Sequence, residues 1–156
     1  MSAIISRCGQ YRYRLERRLG PGKTCLFIML NPSTADAVID DRTITRCIGF
    51  ATSLGYGTLI VGNLFALRAT KPADLRKAKD PEGPDNLKHL KKMCATADLC
   101  IAAWGDDGKF LMQGERIRKF LNPEGVELHF LELTKDGHPR HPLYLKKTLK
   151  PQRWLA

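Results

Sequence analysis

The chain has 156 residues, 43% of them hydrophobic, and carries 26 Lys and Arg against 16 Asp and Glu for a formal charge of +10. That length suits one domain with a sizeable core and is short for two, the composition is globular rather than disordered, and no apolar run approaches the roughly 20 residues that cross a bilayer. A soluble, cytoplasmic single domain over 1–156 is expected, because the opening MSAIISRCGQYRYRLERR lacks the continuous apolar segment of a secretory leader.

Residues 11–19, YRYRLERRL, alternate as a two-sided strand, and GPG at 20–22 supplies a turn into the next, so 1–22 is expected to form an antiparallel edge ribbon. TCLFIML, 24–30, is a continuous apolar run that fits a strand buried on both faces, and it stops abruptly at Asn31 and Pro32. DDRTITRCIGFATSLGYG then offers Asp40 or Asp41 as an N-cap, with Ile44, Cys47, Ile48 and Ala51 on one face and glycines at its end, the pattern of an amphipathic helix.

TLIVGNLF at 58–65 reads as the second core strand, followed by a helix around 85–97 with Leu87, Leu90 and Cys94 on one face. LCIAAWG at 99–105 is the third strand, KFLMQGERIRKFL at 109–121 a helix ended by NPEG, and VELHFLEL at 126–133 the fourth strand. Residues 146–156 read as a basic C-terminal tail. Four alternations of strand and helix predict a three-layer α/β/α fold around a mainly parallel four-stranded sheet, with an antiparallel N-terminal edge strand.

Five cysteines with no C-x-x-C pair and no histidine at zinc-finger spacing read as free thiols, so neither metal nor cofactor is expected. Positive charge gathers in residues 7–18 and 146–153, which favours a polyanionic partner, with tails that simply aid solubility as the alternative.

Each core strand runs into an unusual polar stretch: NPSTAD, NLFALRAT, WGDDGK and TKDGHPRHP. In a parallel sheet these four loops share the rim where the carboxyl ends of the strands leave a crevice for ligands.

MLNPSTAD, CIGFA, GYGTLIVGNLFALRAT, AAWG and LTKDGHPRHPLYL resemble, over nearly the whole chain, a bacterial and phage family known only as domain of unknown function 1643. More distantly, LNPS is similar to the Asn-Pro or Asp-Pro motif that ends the first core strand of the uracil-DNA glycosylase superfamily. LIVGNLFALR, with Asn63 and Arg68, resembles a second motif of that superfamily; AAWG, with Trp104 and Gly105, a third; and HPRHPLYL a His-Pro motif, with His141 the better counterpart and His138 the other. The chain departs from the pattern in having Leu30 before Asn31 where the glycosylases have Gly, and in lacking a Ser-Pro after the His-Pro.

The resemblance implies a uracil-DNA-glycosylase-like fold and recognition, or hydrolytic excision, of a uracil-like or modified pyrimidine. Asn31 would hold the attacking water with help from Asp36, and His141 would donate to the carbonyl oxygen of the leaving base. Asn63 would pair with the base edge, while Pro32, Ser33 and Thr34 would wall the pocket, Ser33 standing where some relatives have a bulky tyrosine and so leaving more room. Arg68 and Arg140 would hold phosphates, Trp104 would stack, and Gly105 and His138 would complete the rim. The expected partner is nucleic acid, DNA ahead of RNA, or a nucleotide, with no membrane. A non-catalytic nucleic-acid-binding module and an enzyme acting on free nucleotides or nucleosides are the competing readings.

Overall fold

The computed structural model describes residues 1–155; Ala156, the last residue of the expected tail, lies outside them. Seven strands form one mixed sheet: β1 (Ser2–Ile5), β2 (Arg12–Arg18), β3 (Thr24–Met29), β4 (Thr58–Asn63), β5 (Leu99–Ala102), β6 (Leu128–Phe130) and β7 (Gln152–Arg153), in the spatial order β1-β2-β4-β3-β5-β6-β7. β4, β3, β5 and β6 are mutually parallel, while β1, β2 and β7 join antiparallel at the two edges.

The sheet thus has more strands than the expected four and an edge. The basic tail supplies one of them, because Gln152 and Arg153 pair with Phe130 and His129. β2 also finds a different partner from the one the GPG turn suggested: it pairs with β4, and β3 lies between β4 and β5.

β3 is apolar throughout because both its faces are covered. Cys25, Phe27 and Met29 join Ile44, Cys47 and Phe50 of α1 (Arg42–Ser53) in one core, whereas Leu26 and Ile28 join Leu90 and Met93 of α3 (Asn86–Thr96) and Ile117 and Leu121 of α4 (Gln113–Leu121) in the other. Gly62 of β4 lets α3 approach closely, since a Cβ there would lie 2.6 Å from the Met93 terminal methyl. A short α2 (Pro72–Lys77), absent from the sequence pattern, follows the β4 loop, and the first part of the expected 109–121 helix is instead a kinked 3₁₀ segment, Asp106–Met112.

An irregularity in β2 shapes the site. Ile4 pairs with Arg14 and Ile5 with Arg12, leaving Tyr13 as an extra residue. Such a bulge resets the alternation of side chains. Tyr13 stacks on His89 of α3, while Arg12 and Leu15 turn to the α1 side of the sheet.

Candidate functional site

The chain leaving β3 at Asn31 is held in place by its own polar groups. The Asn31 amide donates from Nδ2 to the carbonyls of Pro32 (3.0 Å) and Ala69 (2.7 Å), tying the first rim loop to the second. Two carbonyl partners can only face an NH₂, so the flip of this amide is fixed and Oδ1 remains as its acceptor. Further along, Asp36 Oδ1 accepts from the backbone N–H groups of Val38 (2.9 Å) and Ile39 (2.8 Å), which lowers its pKa and makes it the organiser of a turn.

Two buried arginines of β2 staple this loop to the sheet. Arg17, 1% exposed, donates from Nε to Asp40 (2.7 Å) and from its two Nη atoms to the carbonyls of Asp36, Ala37 and Ile39. Arg12, 2% exposed, donates from Nη1 to the Ala35 carbonyl at 2.9 Å. The loop ends at Asp41, the N-cap of α1, whose Oδ1 accepts from Ile44 N–H at 2.9 Å and whose Oδ2 lies 3.4 Å from Ala35 N.

Beneath the loop lies a cleft of about 230 Å³. Asn31, Pro32 and Ser33 form one wall, Asp41, Thr43 and Ile44 at the start of α1 another, and Ala69, Thr70 and His141 close it, with Arg12 deep inside. Its volume falls below the roughly 300–1,000 Å³ of pockets for drug-sized ligands, so its occupant is a small group. Two larger hollows, of about 460 and 410 Å³, lie around α3, α4 and β7 and contain none of the four rim loops.

His141 enters this cleft in a defined tautomer. Leu143 N–H donates to its Nδ1 at 3.2 Å, which places the proton of the neutral ring on Nε2. Burial lowers the His141 pKa below the ordinary value, opposed by the nearby Asp41 carboxylate, so the ring is neutral at pH 7 and offers an N–H donor.

The structure brings together Asn31, Pro32, Ser33 and His141 among the residues singled out in the sequence. Arg68 lines an adjoining hollow of about 270 Å³ that shares Ser33, Ala69 and Thr70 with the cleft. Gly105 stands beside His141, its φ of +72° being one that favours glycine. Thr34 is exposed at the loop's outer side, and Asp36 faces its own turn rather than the cleft.

Four others lie elsewhere. Asn63 is 1% exposed at the end of β4, paired with Met29 across the ladder, and neither amide atom of its side chain has a partner. Trp104, 2% exposed, belongs to the α3–α4 core, packed on Trp154 and against Gly108 and Gly114. His138 lines a small hollow beside Trp104, and Arg140 is exposed and pairs with Glu132 at 3.5 Å. The odd spacing of 138 and 141 in an extended segment bridged to Leu133 at Pro139 sends the two histidines to opposite sides. Asp106 accepts from the Thr134 hydroxyl at 2.6 Å and Asp107 pairs with Arg76 at 3.4 Å, so the acidic residues serve separate structural ends.

Arg12, Asp41, Thr43 and Thr70 join the cleft without having been singled out for it. Asp41 was visible only as a helix cap. Arg12 sits in YRYRLERRL, which reads as a two-sided strand of an edge ribbon, and only the bulge, which no spacing announces, turns it to the α1 side.

Residues 12–143 match the family model described as "Protein of unknown function (DUF1643)". No curated protein and no solved structure matches the chain.

Proposed function

We propose, for a chain that belongs to the DUF1643 family of proteins of unknown function, that the cleft receives a pyrimidine-like base and serves hydrolysis of its N-glycosidic bond. The observation that carries this reading is that Asn31 and His141, from loops after different strands, line one small cleft with an amide acceptor and a neutral imidazole donor. The three-layer arrangement of the uracil-DNA glycosylases belongs to the same reading, supported by the parallel quartet and by cores on both faces of the sheet.

In the reaction, the bond between the sugar C1′ and the base nitrogen breaks and its electron pair leaves with the base. The His141 Nε2–H donates to the carbonyl oxygen on which that charge collects. A water held by Asn31 Oδ1 adds to C1′ and loses its proton to the Asp41 carboxylate, which stands in the cleft where Asp36 does not. The products are a free base and an abasic sugar.

The surroundings suit a base drawn from a polymer. Arg68 in the adjoining hollow is placed for a flanking phosphate. Val38, Ile39 and Tyr144 stand 73%, 58% and 80% exposed on the loops beside the cleft, apolar surfaces on which neighbouring bases can stack. Incubation with single- and double-stranded DNA bearing uracil, mismatched thymine or 5-modified pyrimidines tests the reading, with abasic sites expected for at least one base; none across the panel rejects it.

One observation favours a second reading, a non-catalytic nucleic-acid module: both Asp41 oxygens already accept from backbone N–H groups, which occupies lone pairs that would otherwise take up a proton from water. A salt-sensitive gel shift without product, unchanged in Asn31→Ala and His141→Ala, supports this alternative.

A further inference from the structure

The inner end of the cleft carries a buried charge that no carboxylate touches. Arg12 is 2% exposed, yet among the described residues its guanidinium forms no ion pair, its Nε has no hydrogen-bond partner, and the Ala35 carbonyl is the one acceptor of its side chain. Arg17, two turns of the pleat away and equally buried, shows what a structural arginine looks like in this strand, with a carboxylate and several carbonyls around it. A buried guanidinium with no carboxylate in contact is costly, and an unpartnered N–H on it calls for an acceptor. Burial lowers the Arg12 pKa only to about 10, with the Asp41 carboxylate opposing the shift from a distance, so the charge is present at pH 7.

A second feature points the same way. α1, a 12-residue helix with no acidic side chain in its first turn, begins in this cleft at Thr43 and Ile44. Asp41 caps Ile44 N–H, which leaves the first-turn N–H groups before it for another acceptor, and the positive end of the helix adds to the guanidinium. The hydroxyls of Ser33, Thr43 and Thr70 and the His141 Nε2–H supply further donors around the same space. The Asp41 carboxylate is the opposing charge, held to its two backbone N–H groups.

We infer that the cleft is an anion site in which Arg12 and the amino terminus of α1 bind a compact oxyanion, a carboxylate or phosphate group carried by the ligand. It rests on the reading above only for the location of the site. Combined with that reading, the pyrimidine would bear an anionic substituent, accommodated where Ser33 leaves room.

The full chain, titrated by NMR with inorganic phosphate, orotate, uridine monophosphate and, as uncharged controls, uracil and uridine, tests this. Saturable shifts of the Arg42, Thr43, Thr70 and Leu143 amides by the anions, with the uncharged ligands at least tenfold weaker, are expected. Orotate binding alone identifies a carboxylate site, and phosphate binding alone a phosphate site. Arg12→Met should weaken the anion about 10- to 100-fold, the loss of charged hydrogen bonds, and Arg12→Lys less. No saturable anion shift in the wild-type protein, shifts mapping away from these amides, or equal binding of uracil would overturn the inference even if Arg12→Met fails to fold. Because inorganic phosphate has no glycosidic bond, a negative titration leaves base excision standing, and missing abasic sites leave the anion site standing.

Discussion

The backbone N–H of Leu143 donates to Nδ1 of His141 at 3.2 Å, two residues along the same loop, and so sets which ring nitrogen carries the proton of the neutral ring. Protonating His141 places a second N–H against that donor. Its pKa in the folded chain is lowered by burial below the 6.5 of a free imidazole. Above pH 6.5 both folded and unfolded chains hold this ring neutral and its contribution is flat. Below 6.5 the unfolded chain takes up a proton that the folded chain refuses, so stability falls until pH passes the folded value. An NMR titration of the His141 ring should show a midpoint under 6.5, and urea midpoints should fall between pH 7 and 5 more in the wild type than in His141→Gln. A midpoint at or above 6.5 contradicts this.

Arg17 holds the 31–41 loop, and its loss should loosen the cleft without touching any cleft residue. Arg17→Met keeps the bulk and removes the ion pair to Asp40 and the bonds to three loop carbonyls. A loss of about 3 kcal/mol by urea denaturation is expected, with faster proteolysis within the loop. A change under about 0.5 kcal/mol would show that the loop holds itself.

Asn31→Asp separates the structural task of this side chain from its chemical one. A carboxylate is the better base, but it would face the carbonyls of Pro32 and Ala69, both of which now accept hydrogen bonds. The aspartate variant should therefore lose about 1–3 kcal/mol and be less stable than Asn31→Ala. Thermal denaturation of both variants at pH 7.5 checks the order.

The parallel quartet was legible because its signals are local: continuous apolar runs for doubly buried strands, and an Asp before Ile44, Cys47 and Ala51 for α1. At the N-terminal edge the alternation of 11–19 also announced β2, but β7 was read as a basic tail, because it is two residues long and exists through its partner rather than its propensity. Asn31 and His141 could be picked out from proline-flanked loops after apolar runs. Arg12 could not, since its burial follows from the extra residue in β2, and Trp104, expected to stack on a base, is core because Gly108 and Gly114 lie against its indole.

That packing makes Trp104 a stability determinant. A Cβ at Gly114 would lie 2.8 Å from the indole nitrogen, and one at Gly108 would collide with Cδ1. Gly108→Ala should cost about 1–3 kcal/mol through overpacking and shift the tryptophan emission while leaving ligand affinity at the cleft unchanged. A weakened ligand with unaltered stability would instead place Trp104 at the site.

The central claim is that Asn31 and His141 act on one bound base. A double-mutant cycle on the rate of abasic-site formation, using wild type, Asn31→Ala, His141→Ala and the double variant on the best substrate of the base panel, tests it most directly. Each single change should slow excision by about 10²- to 10³-fold, and the double variant by much less than the product of the two. Single variants that cut as fast as the wild type, or effects that multiply as for independent sites, would contradict a shared base in this cleft.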